Sequence, residues 1–396
     1  MKHTHKPGYK HTPLGWIPDD WELELLENIS KRGSGHTPDK AFSTYYNGGI
    51  KWVSLADSFR LDQGLITETE IEISKEGVKN SSAVLHPTGT VLISRDAGIG
   101  KSAVMGRDMA VSQHFITWTC GDLLNNWFLY YWLQYKKEYF ERQAVGSTIK
   151  TIGLPLFKKL KVPYPPLPEQ QKIATILTTW DEAIKKTQQL IAQLKQRNKG
   201  LMQQLMSGKK RLKGFSGKWN TEELENVVDY EQPIKYLTTN IIDTVDNKMV
   251  PVLTANKSFI LGYTHDQTGI YRKLPTVIFD DFTTMSKYVE FPFKVKSSAI
   301  KMLATKRGYD LRFFFYSLQL IRTNIAEHKR RWISEFATKS VKFPPLDEQA
   351  AIADTLTFAG GELKLYEQQL TTLQQQKKGL MQKLLSGEVR VKLNEK

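Results

Sequence analysis

The chain has 396 residues, 40% of them apolar, which is enough to bury the cores of two or three ordinary domains and excludes a disordered polypeptide. Lysine and arginine number 56 against 41 acidic residues, a net charge of +15, which points to a polyanionic partner with nucleic acid as first candidate. A single cysteine, Cys120, excludes an internal disulfide and fits a cytoplasmic protein, and no run of 18 apolar residues could cross a bilayer.

Residues 1–20 are polar, hold no signal-peptide core and read as a floppy tail. His3, His5 and His11 lie there without a thiolate or carboxylate cluster beside them, so no metal site is expected. Residues 21–164 mix strand-like and helical segments. Thr90–Ser94, Val104–Met105 and Val111–Thr117 read as strands, and Asp122 to Arg142 as a helix opened by an aspartate cap. Residues 165–213 read as a long spacer helix. Residues 214–343 form a second mixed region, with strands at Val250–Leu253, Thr276–Phe279 and Val289–Val295 and a helix from Leu311 to Thr323. Residues 344–396 repeat the spacer helix. The fold class is therefore α+β, as two tandem α+β domains with a long helix after each.

The repeat is explicit. The 44 residues from Pro165 to Gly208 align without a gap on those from Pro344 to Gly387, an offset of 344 − 165 = 179, with 21 identities. Trp21, Leu26, Glu27 and Asn28 recur as Trp219, Leu224, Glu225 and Asn226. In each helix Pro168 or Asp347 suits the first turn, and Gly208 or Gly387 the stop. A helix of roughly 40 residues spans about 60 Å.

Both helices carry a heptad seam. In the first it is Ile173, Leu177, Trp180, Ile184, Thr187, Ile191, Leu194, Asn198, Leu201 and Leu205. In the second it is Ile352, Leu356, Ala359, Leu363, Tyr366, Leu370, Leu373, Lys377, Leu380 and Leu384. Such spacing argues for a coiled coil, with polar Asn198 and Lys377 helping to fix register. Packing of each helix on its own domain is the alternative. Antiparallel pairing of the two would make the molecule pseudo-two-fold. From Lys158 to Lys213 there are 13 basic and 3 acidic residues, so much of the positive charge sits on the first helix and its flanks.

Cations and amides in loops are candidate DNA contacts, since phosphates need cations and base edges need Arg, Lys, Asn or Gln. They are Arg95, Lys101, Arg107 and Gln113 in the first domain, and Asn256, Lys257, Lys287, Lys329, Arg330 and Arg331 in the second. Each could equally be a solvated surface charge. Catalytic motifs are missing. Ala97-Gly98-Ile99-Gly100-Lys101-Ser102 lacks the earlier glycine of a phosphate loop, whose place Arg95 takes, and reads as a turn presenting Lys101. Tyr164-Pro165-Pro166-Leu167 lacks the Asn or Asp of an adenine methyltransferase. Asp280-Asp281 has no nuclease Glu-x-Lys after it, and Asp281 reads as a turn residue. No catalytic residue and no cofactor are expected.

The chain resembles the specificity subunit of type I restriction–modification systems over essentially its whole length. The resemblance rests on Pro165-Pro166-Leu167-Pro168-Glu169-Gln170 with Ile173-Ala174, and Pro344-Pro345-Leu346-Asp347-Glu348-Gln349 with Ile352-Ala353. Lys199-Gly200-Leu201-Met202 and Lys378-Gly379-Leu380-Met381 add to it. So do Gly15-Trp16-Ile17-Pro18, Gly49-Ile50-Lys51-Trp52-Val53, Val252-Leu253-Thr254-Ala255-Asn256 and Phe279-Asp280-Asp281-Phe282-Thr283-Thr284. It implies two target-recognition domains, each reading half of an asymmetric bipartite site in double-stranded DNA. It also implies that the helices act as a ruler and bind two modification subunits, which would use S-adenosylmethionine to methylate adenine N6. Restriction subunits would add translocation and cleavage. A specificity subunit serving a methyltransferase without a nuclease, and a coiled-coil scaffold that binds no DNA, are the rivals.

Overall fold

The computed structural model describes residues 6–146, 150–243, 246, 249–256, 258–321 and 330–393. It divides into two compact units: residues 1–187 with 369–396, and residues 188–368. Each unit thus contains one domain and one end of each long helix. Among the described residues no helix is long and apolar enough to cross a membrane.

The first unit opens with a hairpin, β1 (Tyr9–Thr12) and β2 (Gly15–Pro18), where a floppy tail was expected. The Thr12 hydroxyl donates to the Gly15 carbonyl, Gly15 takes φ +103°, and the Tyr9 hydroxyl bonds the carbonyl of Gly387. Next come β3 (Glu22–Leu25), β4 (Ser30–Ser34), β5 (Val91–Ser94), β6 (Ser102–Met105) and β7 (Phe115–Cys120). They are followed by the helices α1 (Asn126–Tyr135) and α2 (Lys137–Gln143), strand β8 (Lys161–Tyr164) and helix α3 (Leu167–Met206). The main sheet runs β4-β7-β5-β6 with Leu65–Ile66 on the edge, and a second sheet joins Glu72–Ile73, Tyr46–Val53, Met109–Val111 and Leu85–His86. β3 pairs antiparallel with β8, which ties the start of the domain to the strand leading into α3.

The second unit repeats this plan. It has β9 (Asn220–Glu223), β10 (Val228–Glu231), β11 (Val250–Leu253), β12 (Thr276–Asp280), β13 (Ser286–Val289) and β14 (Ile300–Thr305). Helix α4 (Leu311–Leu320), strand β15 (Ser340–Phe343) and helix α5 (Leu346–Leu385) complete it. Its main sheet has the order β10-β14-β12-β13, the counterpart of β4-β7-β5-β6, and β9 pairs with β15 as β3 does with β8.

Three sequence expectations need correction. The run Val111–Thr117 is not one strand: Met109–Val111 belongs to the second sheet and β7 to the main one, so the chain changes sheets at Ser112–His114. Val289–Val295 breaks for the same reason, with β13 in the main sheet and Lys294–Val295 paired to β11 in the other. The helix after β7 is capped by Asn125, whose side chain accepts from the Phe128 amide, and it is interrupted at Lys136.

The core of each unit is a helix laid on the sheet and on the ends of the long helices. In the first, Phe128, Tyr131 and Trp132 of α1 pack with Val91, Ile93 and Trp118 of the sheet, Ile173 and Leu177 of α3, and Leu384 and Leu385 of α5. In the second, Phe313, Phe314 and Leu318 of α4 pack with Val277 and Phe279, with Leu205 and Met206 of α3 and with Ile352 and Leu356 of α5.

Two buried side chains fasten each junction. Gln170 accepts from the Asn125 amide (2.8 Å) and donates to the carbonyls of Leu123 and Pro165, while Gln349 accepts from Asp310 and donates to Gly308 and Pro344. Beside them Glu169 receives Arg390 (2.6 and 2.8 Å), and Glu348 receives Arg211 in a two-pronged pair (2.5 and 2.6 Å). A cation just past the end of one long helix therefore meets a carboxylate in the first turn of the other, and within each unit α3 and α5 run antiparallel. In the second unit Asn198 donates to the Ala359 carbonyl (2.8 Å), and Arg197 and Lys195 pair with Glu362 and Glu367. In the first, Lys377 pairs with Asp181. Ile173, Leu177, Ile191, Leu194, Leu205, Ile352, Leu356 and Leu384 are buried. Trp180, Ile184, Leu201, Leu363, Tyr366, Leu370, Leu373 and Leu380 are half-buried.

Candidate nucleic-acid interface

In the first unit the chain leaves β5 through Arg95 and returns at Lys101 over a turn that Gly98 and Gly100 make possible with φ near +80°. The Gly100 amide donates to Ser94 and the Ser94 amide to Lys101, closing the turn. It lies between two antiparallel strands, with no helix after it, so it cannot act as a nucleotide phosphate loop. Lys101 is not displayed as expected: its ammonium donates to the Ser58 carbonyl (3.0 Å).

The loop before β7 reaches the same strand end, and the Arg95 amide donates to the His114 carbonyl. Gln113 is exposed, with its carbonyl accepting from Thr37 (2.6 Å). His114 bonds Asp96 (2.5 Å), which also receives the Thr151 hydroxyl, and the Arg95 Nε donates to the Ile152 carbonyl (3.1 Å). Lys150 is exposed beside this turn in a 520 Å³ hollow shared with Asp96, Gly98, Lys101 and Lys137. Arg95 and Gln113 are thus brought together. Arg107 is not: it lies in the turn after β6, at the opposite end of these strands, 3.5 Å from Glu68, whose carboxyl Lys51 holds below its ordinary range.

The matching end of the second unit is built differently. Asp280 at the end of β12 accepts from the Phe282 and Thr283 amides and shapes the turn, while Thr283 donates to the Asn256 side chain (3.0 Å). Asn256 lines a 550 Å³ hollow with Thr254, Ser258, Lys296 and Ser297, and with Leu261 and Met285 as its apolar part. Asp281 is no turn residue. It is buried, forms a 3.1 Å pair with buried Lys301, and accepts from the amides of Arg331 and Trp332. No group of three or more metal-ligating side chains occurs among the described residues.

Asp281 therefore fixes Arg330 and Arg331 at this strand end, with opposite outcomes. Arg330 is exposed, but Arg331 is 1% exposed with its guanidinium on Glu335 (2.8 and 3.0 Å), which removes it from the surface. Lys287 is half-buried on β13, and Lys257 and Lys329 lie outside the described residues. Sequence reasoning missed His114, Lys150 and Lys296. The repeat carried a signal for one of them, since 150 + 179 = 329 equates Lys150 with the selected Lys329.

Residues 18–196 match the family described as the type I restriction modification DNA specificity domain. A specificity subunit of an Escherichia coli type I restriction enzyme is 46% identical over 31% of this chain and 31% of its own length. The MjaIX specificity subunit of Methanocaldococcus jannaschii is 32% identical over 46% of this chain and 43% of its own. The MjaVIII specificity subunit of that organism is 21% identical over 95% of this chain and 94% of its own. The chain thus spans less than half of the first two relatives. The crystal structure of the type I system S subunit from M. genitalium matches with a TM-score of 0.63 at 16% identity, covering 92% of this chain and 96% of that one.

Over residues 18–196 the chain is thus similar to the type I restriction modification DNA specificity domain. The likeness to the M. genitalium S subunit is one of fold and extends over 92% of this chain. The family match over residues 18–196 takes in the Arg95–Gln113 surface and most of α3.

Proposed function

We propose that the chain is a specificity subunit that reads an asymmetric, bipartite site in double-stranded DNA, one half through each unit, in the cytoplasm. It holds no catalytic residue or cofactor of its own. It directs adenine-N6 methylation by two modification subunits and cleavage by restriction subunits. The observation that carries the reading is that the same strand end, after β5 and after β12, bears in both units short braced loops with cations and amides. The side chains differ: Arg95, Gln113 and Lys150 in one, Asn256, Lys296 and Arg330 in the other. Equal scaffolds with unequal side chains suit two different half-sites, since base edges are read by side-chain forks and phosphates by cations.

The test is genome-wide mapping of N6-methyladenine in cells holding the chain and its modification partner. One asymmetric two-part motif is expected. Asn256→Ala should relax one half of it and leave the other intact, each lost base contact being worth about 1–3 kcal/mol. A palindromic motif, or a change in both halves, would overturn the reading.

A further inference from the structure

Helix α2 has two lined sides in the first unit. Lys137 and Glu141 border the glycine turn; Glu138, Tyr139 and Arg142 border a separate groove of about 650 Å³. The groove runs between the tip of the β1–β2 hairpin and the segment Leu156–Lys161. Its rim carries Leu14 and Tyr139, 47% and 38% exposed, and its floor is apolar, from Trp132, Leu156 and Leu160.

Its charge is one-sided. Lys136, Arg142, Lys159 and Lys161 face a single acid, Glu138, which lies 3.9 Å from Lys378. Lys136 is half-buried, its ammonium 4.6 Å from the Tyr135 ring, and no carboxylate among the described residues meets it. Burial lowers its pKa, so the charged form is held there at a cost that an anion in the groove would relieve.

We propose that this groove docks an acidic segment of a partner protein, one whose carboxylates alternate with leucine or aromatic side chains. A duplex backbone would meet the cations but leave the apolar floor and Leu14 uncovered. A carboxylate-bearing peptide with apolar side chains satisfies both surfaces.

Fluorescence anisotropy with the full chain tests this, using a labelled twelve-residue peptide of alternating Asp or Glu with Leu or Phe. A second peptide keeps the acids and replaces the apolar residues by Ser. The first should bind at least tenfold more tightly than the second, and Lys136→Met should weaken it at least fivefold. Arg142→Glu and Lys159→Glu, both on exposed residues, should do the same and decide the matter if the Lys136 variant does not fold. Mixed-sequence duplex should not displace the peptide. Equal binding by the surface variants, equal binding of the serine peptide, or displacement by duplex would each overturn the proposal, the last by assigning the groove to nucleic acid.

Discussion

Arg330 and Arg331 are neighbours in sequence with different work to do. Arg331 is buried with its guanidinium on Glu335, so Arg331→Ala should destabilise the second unit by on the order of 2–4 kcal/mol, read by denaturant unfolding. Arg330→Ala should leave stability unchanged and, on the proposed function, lower the log–log salt slope of DNA binding by about one. Identical effects of the two would contradict their assignment. His86 marks the pH sensitivity of the first unit. It is buried between Ser34 and Thr117, and burial lowers its pKa below the ordinary value of about 6.5. Well above that value it is neutral in both folded and unfolded chains. As pH falls through that value the unfolded chain takes up a proton that the folded one resists, so stability drops, by at most about 1.4 kcal/mol per pH unit. His86→Gln should make unfolding between pH 7 and 5 less pH-dependent; an unchanged slope would assign the effect to other groups.

At the scale of elements, the long helices are held at their ends by ion pairs and along their length by the seam. Glu348 is fully buried, and Arg211→Ala would leave its charge without a partner. A lower midpoint is expected in thermal or denaturant melts, with a smaller loss than for a wholly buried pair because Arg211 is partly exposed. Arg211→Lys should recover little, because a lysine cannot make the two-pronged contact; full recovery would mean that charge alone matters. These elements were the most legible in the sequence, since a period of three and four sustained over 40 residues marks a long amphipathic helix whichever partner covers its seam. Glu169, Gln170, Glu348 and Gln349 could be recognised as a motif, but not their role, because their partners lie at Arg390, Leu123, Arg211 and Gly308. The strands around Ser112 and Pro292 were misread because an unbroken apolar run does not record which sheet each half joins. Nor could sequence tell Arg331 from Arg330, since burial there depends on Asp281, 50 residues earlier.

At the scale of the whole molecule, the repeat predicts what half the chain can do. A fragment ending near Lys213 holds the first domain, α3 and Arg211. Two copies could pair their α3 helices antiparallel, with Arg211 of one copy against Glu169 of the other, as Arg390 is in the intact chain. From Glu169 to Met206 α3 carries 6 basic and 3 acidic residues, and from Glu348 to Leu385 α5 carries 4 and 4. Self-pairing thus sets +3 against +3 instead of against 0, a repulsion that salt near 0.15 M should screen. If the proposed function holds, the fragment with a modification partner should methylate a palindrome of the first half-site, mapped as N6-methyladenine; methylation at an asymmetric site, or a fragment monomeric at every salt concentration, would refute it. The hairpin contact has a different consequence. Gly387 packs on Pro18 and Trp21, as Gly208 packs on Trp219, so the first unit achieves by contact what the second achieves through the covalent stretch from Gly208 to Trp219. Chain continuity at that place is therefore dispensable to the architecture. A gene rearranged to join the present ends through a short linker and to open between Lys213 and Lys218 should encode a protein with the same surfaces in a new order along the polypeptide.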